Sequence, residues 1–122
     1  MGAARLGGRA EDVAADYLVA RGFSLFARNV RVGSLEIDIV ARQGALMAIV
    51  EVRTRGAGSH DTALSSITSK KRERILRAAD SLWRKELSAI PGIERVRIDV
   101  AAVAFEGAAA HIEYIEGAFV AG

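Results

Sequence analysis

Three carboxylates interrupt an otherwise apolar stretch, LEIDIVARQGALMAIVEVRTR, that runs from Leu35 to Arg55. They are Glu36, Asp38 and Glu51, and Arg53 follows two places after the last. Side chains alternate across a strand, so Glu36, Asp38 and Val40 share one face of the first arm, and Leu35, Ile37 and Ile39 the other. In the second arm Met47, Ile49, Glu51 and Arg53 share a face, opposite Ala48, Val50 and Val52. A two-residue turn at Gln43-Gly44 pairs Arg42 with Ala45, Glu36 with Glu51 and Asp38 with Ile49. That register gathers both apolar sets on one face and Glu36, Asp38, Glu51 and Arg53 on the other. Opposed Cβ atoms lie about 5 Å apart, and like charges at that range repel and raise a pKa unless a cation sits between them. Mg²⁺ or Mn²⁺ is the simplest such partner, because hard divalent ions take carboxylate oxygens and share their shell with phosphate. Asp38 and Glu51 would then hold the metal, and Arg53 would reach a phosphate oxygen or orient water, as metal-assisted phosphodiester cleavage requires. The plainer alternative is a solvated strand face on which Arg53 neutralises Glu51.

The elements around the hairpin follow from periodicity. Val13, Ala14, Tyr17 and Leu18 form a helical stripe that Gly22 is placed to end. The stretch FSLFARNVRV reads as a strand that enters a turn at Gly33. A polar, Gly-containing loop, RGAGSHDTAL, leads to a long amphipathic helix over Ser66–Leu87, with Ile75, Leu76, Ala79, Leu82 and Trp83 facing the core. After Pro91-Gly92, two more strands turn at Glu106-Gly107. The order helix, three strands, helix, two strands predicts an α/β layer architecture in one domain, residues 1–122.

The whole chain narrows the class. Its 122 residues suit one domain, and 26% charged against 51% hydrophobic residues exclude a disordered polymer. The chain has no Cys, which excludes disulfides and thiolate metal sites and fits a reducing, cytoplasmic setting. No apolar run reaches the ~18 residues of a membrane span, and MGAARLGGRAED lacks the apolar core of a secretory signal. Lys70, Lys71, Arg74 and Arg77 open a basic run that can hold a phosphate backbone, although a solvated helix face would look the same. His60 and His111 have no partner at ligand spacing. Trp83, Tyr17, Phe23 and Phe26 read as core residues and not as platforms for bases.

The motifs GSLEIDIVA and IVEVRTR, with EDVAADYLVARGF, ARNVR, the Lys70 helix and VRIDV, resemble the YraN-like family of uncharacterised bacterial proteins over nearly the whole chain. That family is similar to the restriction-endonuclease-like fold, marked by an Asp on one strand and Glu-x-Lys on the next. The resemblance implies a mixed central sheet of about five strands flanked by helices. It matches Asp38 to the motif Asp, Glu51 to the motif Glu, Glu36 to the acid before Ile-Asp, and Glu11 to an acid that junction-resolving relatives add to the metal site. Asn29, Arg31 and Arg97 match recurrent polar positions, and Asp99 a structural partner of an Arg. Two departures stand out. Ser34-Leu35 precedes Glu36 where the family has Gly, and Arg53 replaces the motif Lys. Arg stays charged at any working pH and is a poor base, so either the metal alone ionises water or Lys70 reaches the site.

Together these imply an Mg²⁺- or Mn²⁺-dependent endodeoxyribonuclease acting on branched or structured DNA. Asp38, Glu51 and Arg53 would be catalytic; Asp38, Glu51, Glu36 and Glu11 would surround the metal; Lys70, Lys71, Arg74 and Arg77 would hold the backbone. A homodimer would suit a symmetric branched substrate. The alternative is a catalytically inactive nucleic-acid-binding or adaptor module on the same scaffold, and the third reading is a protein-interaction domain.

Overall fold

Apolar residues occupy both faces of the central strands, so each face needs a cover. In the structure, a computed structural model that describes residues 6–55, 64–65 and 67–119, one helix lies on each face. The elements run α1 (Leu6–Ala20), β1 (Ser24–Val32), β2 (Leu35–Gln43), β3 (Leu46–Arg55), α2 (Ser69–Lys85), β4 (Arg95–Glu106) and β5 (Ala109–Ile115). The five strands form one mixed sheet in the order β1-β2-β3-β4-β5. Only β3 and β4 are parallel, and α2 lies in the connection between them. The α/β architecture with about five strands flanked by helices is therefore as the sequence implied. No helix among the described residues is long and apolar enough to cross a membrane.

α1 buries Ala14, Ala15 and Leu18 against a layer that includes Ile39, Ala41, Ala48, Val50 and Ala101. The small alanines on both surfaces let the helix and sheet approach closely. This stripe is shifted from the predicted one, because Val13 and Tyr17 lie at its margin and are only half-buried. α2 covers the other face with Ile75, Ala78, Ala79 and Leu82, above Val40, Met47, Ile49 and Val100. Its start is fixed by Thr68, in extended backbone, whose Oγ1 accepts the Lys71 N–H at 3.1 Å. Arg84 and Lys85 in its last turn complement the helix dipole.

The hairpin register differs from the expected one. The turn is Gly44-Ala45, with Gly44 at φ 60°, and the pairs are Gln43↔Leu46, Arg42↔Met47, Ala41↔Ala48, Val40↔Ile49 and Ile39↔Val50. Glu36 therefore does not oppose Glu51, nor Asp38 Ile49. The offset is two residues, which preserves the expected faces over the paired stretch from Ile39↔Val50 to the turn; before Ile39 they change, since Leu35 and Ile37 lie on the α2 side and Ile39 on the α1 side. A further correction concerns those faces: Met47, Ile49 and Val40 are buried under α2, so neither face of the hairpin is left to solvent.

Asp99, on β4, is fully buried and fully partnered. Arg97 Nε and Nη2 donate to its two oxygens at 2.8 and 2.9 Å, Tyr114 OH donates at 2.6 Å, and Gly117 N–H at 2.9 Å. The structural role expected of Asp99 is thus met, and Arg97 is the Arg it partners. Tyr114 also stacks on Tyr17 with ring centroids 5.1 Å apart, which ties β5 to α1. Breaking a buried pair leaves an uncompensated charge and costs about 3–5 kcal/mol. Asp99→Ala should lower urea-unfolding stability by about that much, and Tyr114→Phe by about 1–2 kcal/mol. A loss below about 1 kcal/mol for Asp99→Ala would show that the network does not brace the β4–β5 edge.

Candidate active site

The acids gather where the β2–β3 ladder stops. Ile39↔Val50 is its last pair. Beyond it β3 stays joined to β4 through Arg55↔Ala104, while β2 stays joined to β1 through Leu35↔Val32. The Asp38 carboxylate enters the fork, and its Oδ2 accepts the Val52 N–H at 2.8 Å. A side chain thus takes the bond that a neighbouring strand would have made.

A phase change in β1 and β2 turns Asp38 into that gap. Ile37 and Val40 belong to the α2-side core although they are three residues apart, and so do Ala27 and Val30 on β1. Regular alternation would put each pair on opposite faces. Asn29, between Ala27 and Val30, has φ 53°, a left-handed conformation that Asn tolerates better than most residues. Its side chain then fixes two acids: Nδ2 donates to Glu11 Oε1 at 3.0 Å and to Glu36 Oε1 at 3.3 Å. Arg28 steadies the same turn of α1, 3.6 Å from Glu11 and 2.9 Å from Asp12.

One carboxylate oxygen each from Glu11, Glu36 and Asp38 lies within 4.8 Å of the others. Glu51 stands on the α2 side of the fork, 6% exposed, with Lys71 Nζ at 3.4 Å and Arg53 Nη1 at 3.9 Å. Burial, then the facing Glu51, push Asp38 up to about 7, against the Val52 N–H. Burial also raises Glu51, opposed by Lys71 and then Arg53. Of the four acids expected around a metal, the structure gathers Glu11, Glu36 and Asp38 in one group, and Glu51 stands beside Asp38 but outside that group.

The basic residues divide. Lys71 reaches Glu51, whereas Lys70, Arg74 and Arg77 line a cleft beside the site. The cation that joins Arg53 is therefore Lys71 and not Lys70. His60 lies outside the described residues. His111 is exposed on β5, 3.8 Å from Glu106, away from these acids.

The model of the uncharacterised protein family UPF0102 matches residues 10–103. A UPF0102 protein of Sorangium cellulosum is 52% identical over 115 residues, which cover 93% of this chain and 80% of that one. Relatives from Leifsonia xyli and Syntrophotalea carbinolica are 43% and 38% identical, over 75% and 93% of this chain and 76% and 90% of theirs. Among solved structures, Pyrococcus furiosus SfsA in complex with Ca²⁺ is similar with a TM-score of 0.46 and 16% identity. That likeness covers 93% of this chain, which spans 65% of SfsA's length.

The raised Asp38 and Glu51 set the sign of a pH effect. An acid whose folded pKa lies above its unfolded value lends stability that is complete below the ordinary carboxylate range, near 3.8 for Asp, and is lost as pH rises through about 7. In EDTA, the melting temperature of wild type minus that of Asp38→Asn should therefore fall between pH 5 and pH 8, and Mn²⁺ should raise the wild-type value at pH 8. A difference that is flat with pH would remove the crowded-acid account.

Proposed function

Because the chain belongs to the UPF0102 family, the group whose YraN-like signature its hairpin carries, we propose that it is a metal-dependent endonuclease-like protein that hydrolyses phosphodiester bonds in branched or structured DNA. The observation that supports this most is the meeting of Asp38 and buried Glu51 at the strand fork with Lys71 Nζ 3.4 Å from Glu51. A carboxylate pair that burial keeps from full ionisation, with two more acids beside it, suits a hard divalent cation by donor chemistry and by charge.

Asp38 and Glu51 would hold Mg²⁺ or Mn²⁺, with Glu11 and Glu36 completing its surroundings. Such an ion, when bound, activates water and offsets charge on the phosphate. The chain's own residues do the rest. Val52 N–H orients Asp38, and Asn29 orients Glu11 and Glu36. Arg53, permanently charged, clamps a non-bridging phosphate oxygen. Lys71 takes the part that the motif gives to the Lys two places after the Glu: its ammonium stabilises charge that develops on the phosphate, and unlike Arg it can exchange a proton. A homodimer would present two such sites to a symmetric junction.

The inactive nucleic-acid-binding or adaptor module stays as the second reading, because Arg53 replaces the motif Lys. It requires DNA binding that is insensitive to chelator, without turnover. The hydrolase reading requires saturable Mn²⁺ uptake in calorimetry, lost in Asp38→Asn/Glu51→Gln together with cleavage of branched DNA. Lys71→Ala should retain Mn²⁺ uptake but lose about 10²–10³ in rate, as for removal of one transition-state donor. Metal-dependent cleavage that persists in the purified double variant would sink the assignment.

A further inference from the structure

The cleft beside the acids has a form that their chemistry alone does not explain. It lies between α2 and the β1–β2 turn, has a volume of about 550 Å³, and is lined by Lys70, Arg74, Arg77 and Lys85 from the helix and by Gly33 and Ser34 from the turn. All four cations are exposed. Glu73 is the one acid among the lining residues, and it stands 3.9 Å from Arg77 on the same helix. Arg74 Nη2 donates to Ser34 Oγ at 3.2 Å, so the turn is held against the helix and the cleft keeps its width.

One end of the cleft is next to the acid site along the chain. Leu35 lines it and Glu36 follows next in the chain; Lys70 lines it, and Lys71 stands on Glu51. From that end the cations follow the helix away from the fork. At 1.5 Å per residue, Lys70 to Lys85 spans about 22 Å.

From this geometry we infer that the cleft is the track for a single DNA strand, which enters along α2 and delivers its backbone to Asp38 and Glu51. The inference deepens the hydrolase reading and rests on it for what happens at the end of the track. One row of cations along a slot follows one phosphate backbone, whereas a duplex presents two backbones to a broader surface. The walls bear no aromatic side chain among the lining residues, so bases have no stacking platform and the grip is on phosphate alone. A track about 22 Å long suits a short run, at the lower end of the ~4–16 nucleotides typical of single-strand sites. The substrate class is therefore DNA with an unpaired arm or flap beside the scissile bond, recognised without regard to sequence.

The test is fluorescence anisotropy in EDTA with a labelled, mixed-sequence single strand of about 12 nucleotides, at about 50 to 200 mM NaCl. Four phosphate contacts give a slope of log K against log salt of about −3 for a single strand. Lys70→Gln/Arg74→Gln/Arg77→Gln should weaken binding at least about tenfold and reduce the slope to about −1. Arg84→Gln removes an exposed cation of the same helix that pairs with Asp80 at 2.7 Å and does not line the cleft; it should bind as wild type does. Circular dichroism and melting temperature establish that each variant is folded. The inference is overturned if the triple variant binds as tightly as wild type, if Arg84→Gln weakens binding equally, or if a blunt duplex of the same length binds as tightly as the single strand. Failure of the hydrolase reading looks different: groove-dependent strand binding would persist while Mn²⁺ uptake sensitive to Asp38→Asn/Glu51→Gln was missing.

Discussion

The bond from Val52 N–H to the Asp38 carboxylate, 2.8 Å long, is the joint on which this site depends. A sheet that continued its ladder would leave no room for acids between β2 and β3, and one that simply opened would leave a backbone donor without a partner. Asp38 resolves both demands. It satisfies the donor on β3 and keeps the strands apart, so Glu51 can face it from the other side of the fork. The phase change at Asn29 and Asp38 is the other half of the same arrangement: without it, the strict two-residue period would send Asp38 into one helix layer or the other.

Two acids of one sheet, Asp99 fully buried and Asp38 half-buried, meet opposite fates, and the contrast separates architecture from chemistry. Asp99 receives four hydrogen bonds, two of them from Arg97, and is fully enclosed. Nothing about it is left for a ligand to complete. Asp38 receives one backbone bond and faces Glu51, with Glu11 close by, and is held near 7. Lys71 and Arg53 lean toward Glu51 rather than Asp38. The chain thus neutralises a buried carboxylate fully where it needs only a brace, and incompletely where β2 and β3 part. Incomplete neutralisation in a partly buried site is the condition under which a divalent cation binds for its charge as well as its geometry.

Much of this could be read from residue types, and the rest fails for definable reasons. Periodicity found every strand and both helices, since each long element alternates or repeats clearly. Which residues share a face within the paired part of the hairpin survived an error of two in register, because an even offset preserves the faces. The turn was misplaced since Gln43-Gly44 and Gly44-Ala45 both offer a Gly, and both registers place Met47 and Ile49 on the same face. The phase change was invisible. It depends on one Asn at φ 53°, and the polar pair Arg28-Asn29 between Ala27 and Val30 does not say which residue takes the left-handed conformation. The choice of Lys71 over Lys70 was also hidden, since neighbouring residues of a helix point about 100° apart and the rotation of α2 about its axis is set by core packing.

That rotation is where Arg53 matters. With an ammonium on β3 itself, the motif's usual place, the cation would be fixed by the strand. Here Arg53 sits 3.9 Å from Glu51, while Lys71 approaches to 3.4 Å from a helix. The position of Lys71 is set by Ile75, Ala78, Ala79 and Leu82, which lock α2 onto the sheet, and by the Thr68 cap that starts the helix. Arg supplies a fixed charge and a planar fork; Lys supplies a compact ammonium able to give up its proton. On the proposed reading, the two cations on separate elements would divide work that one strand Lys would otherwise do alone, and the core packing of α2 is part of the geometry of the acid site.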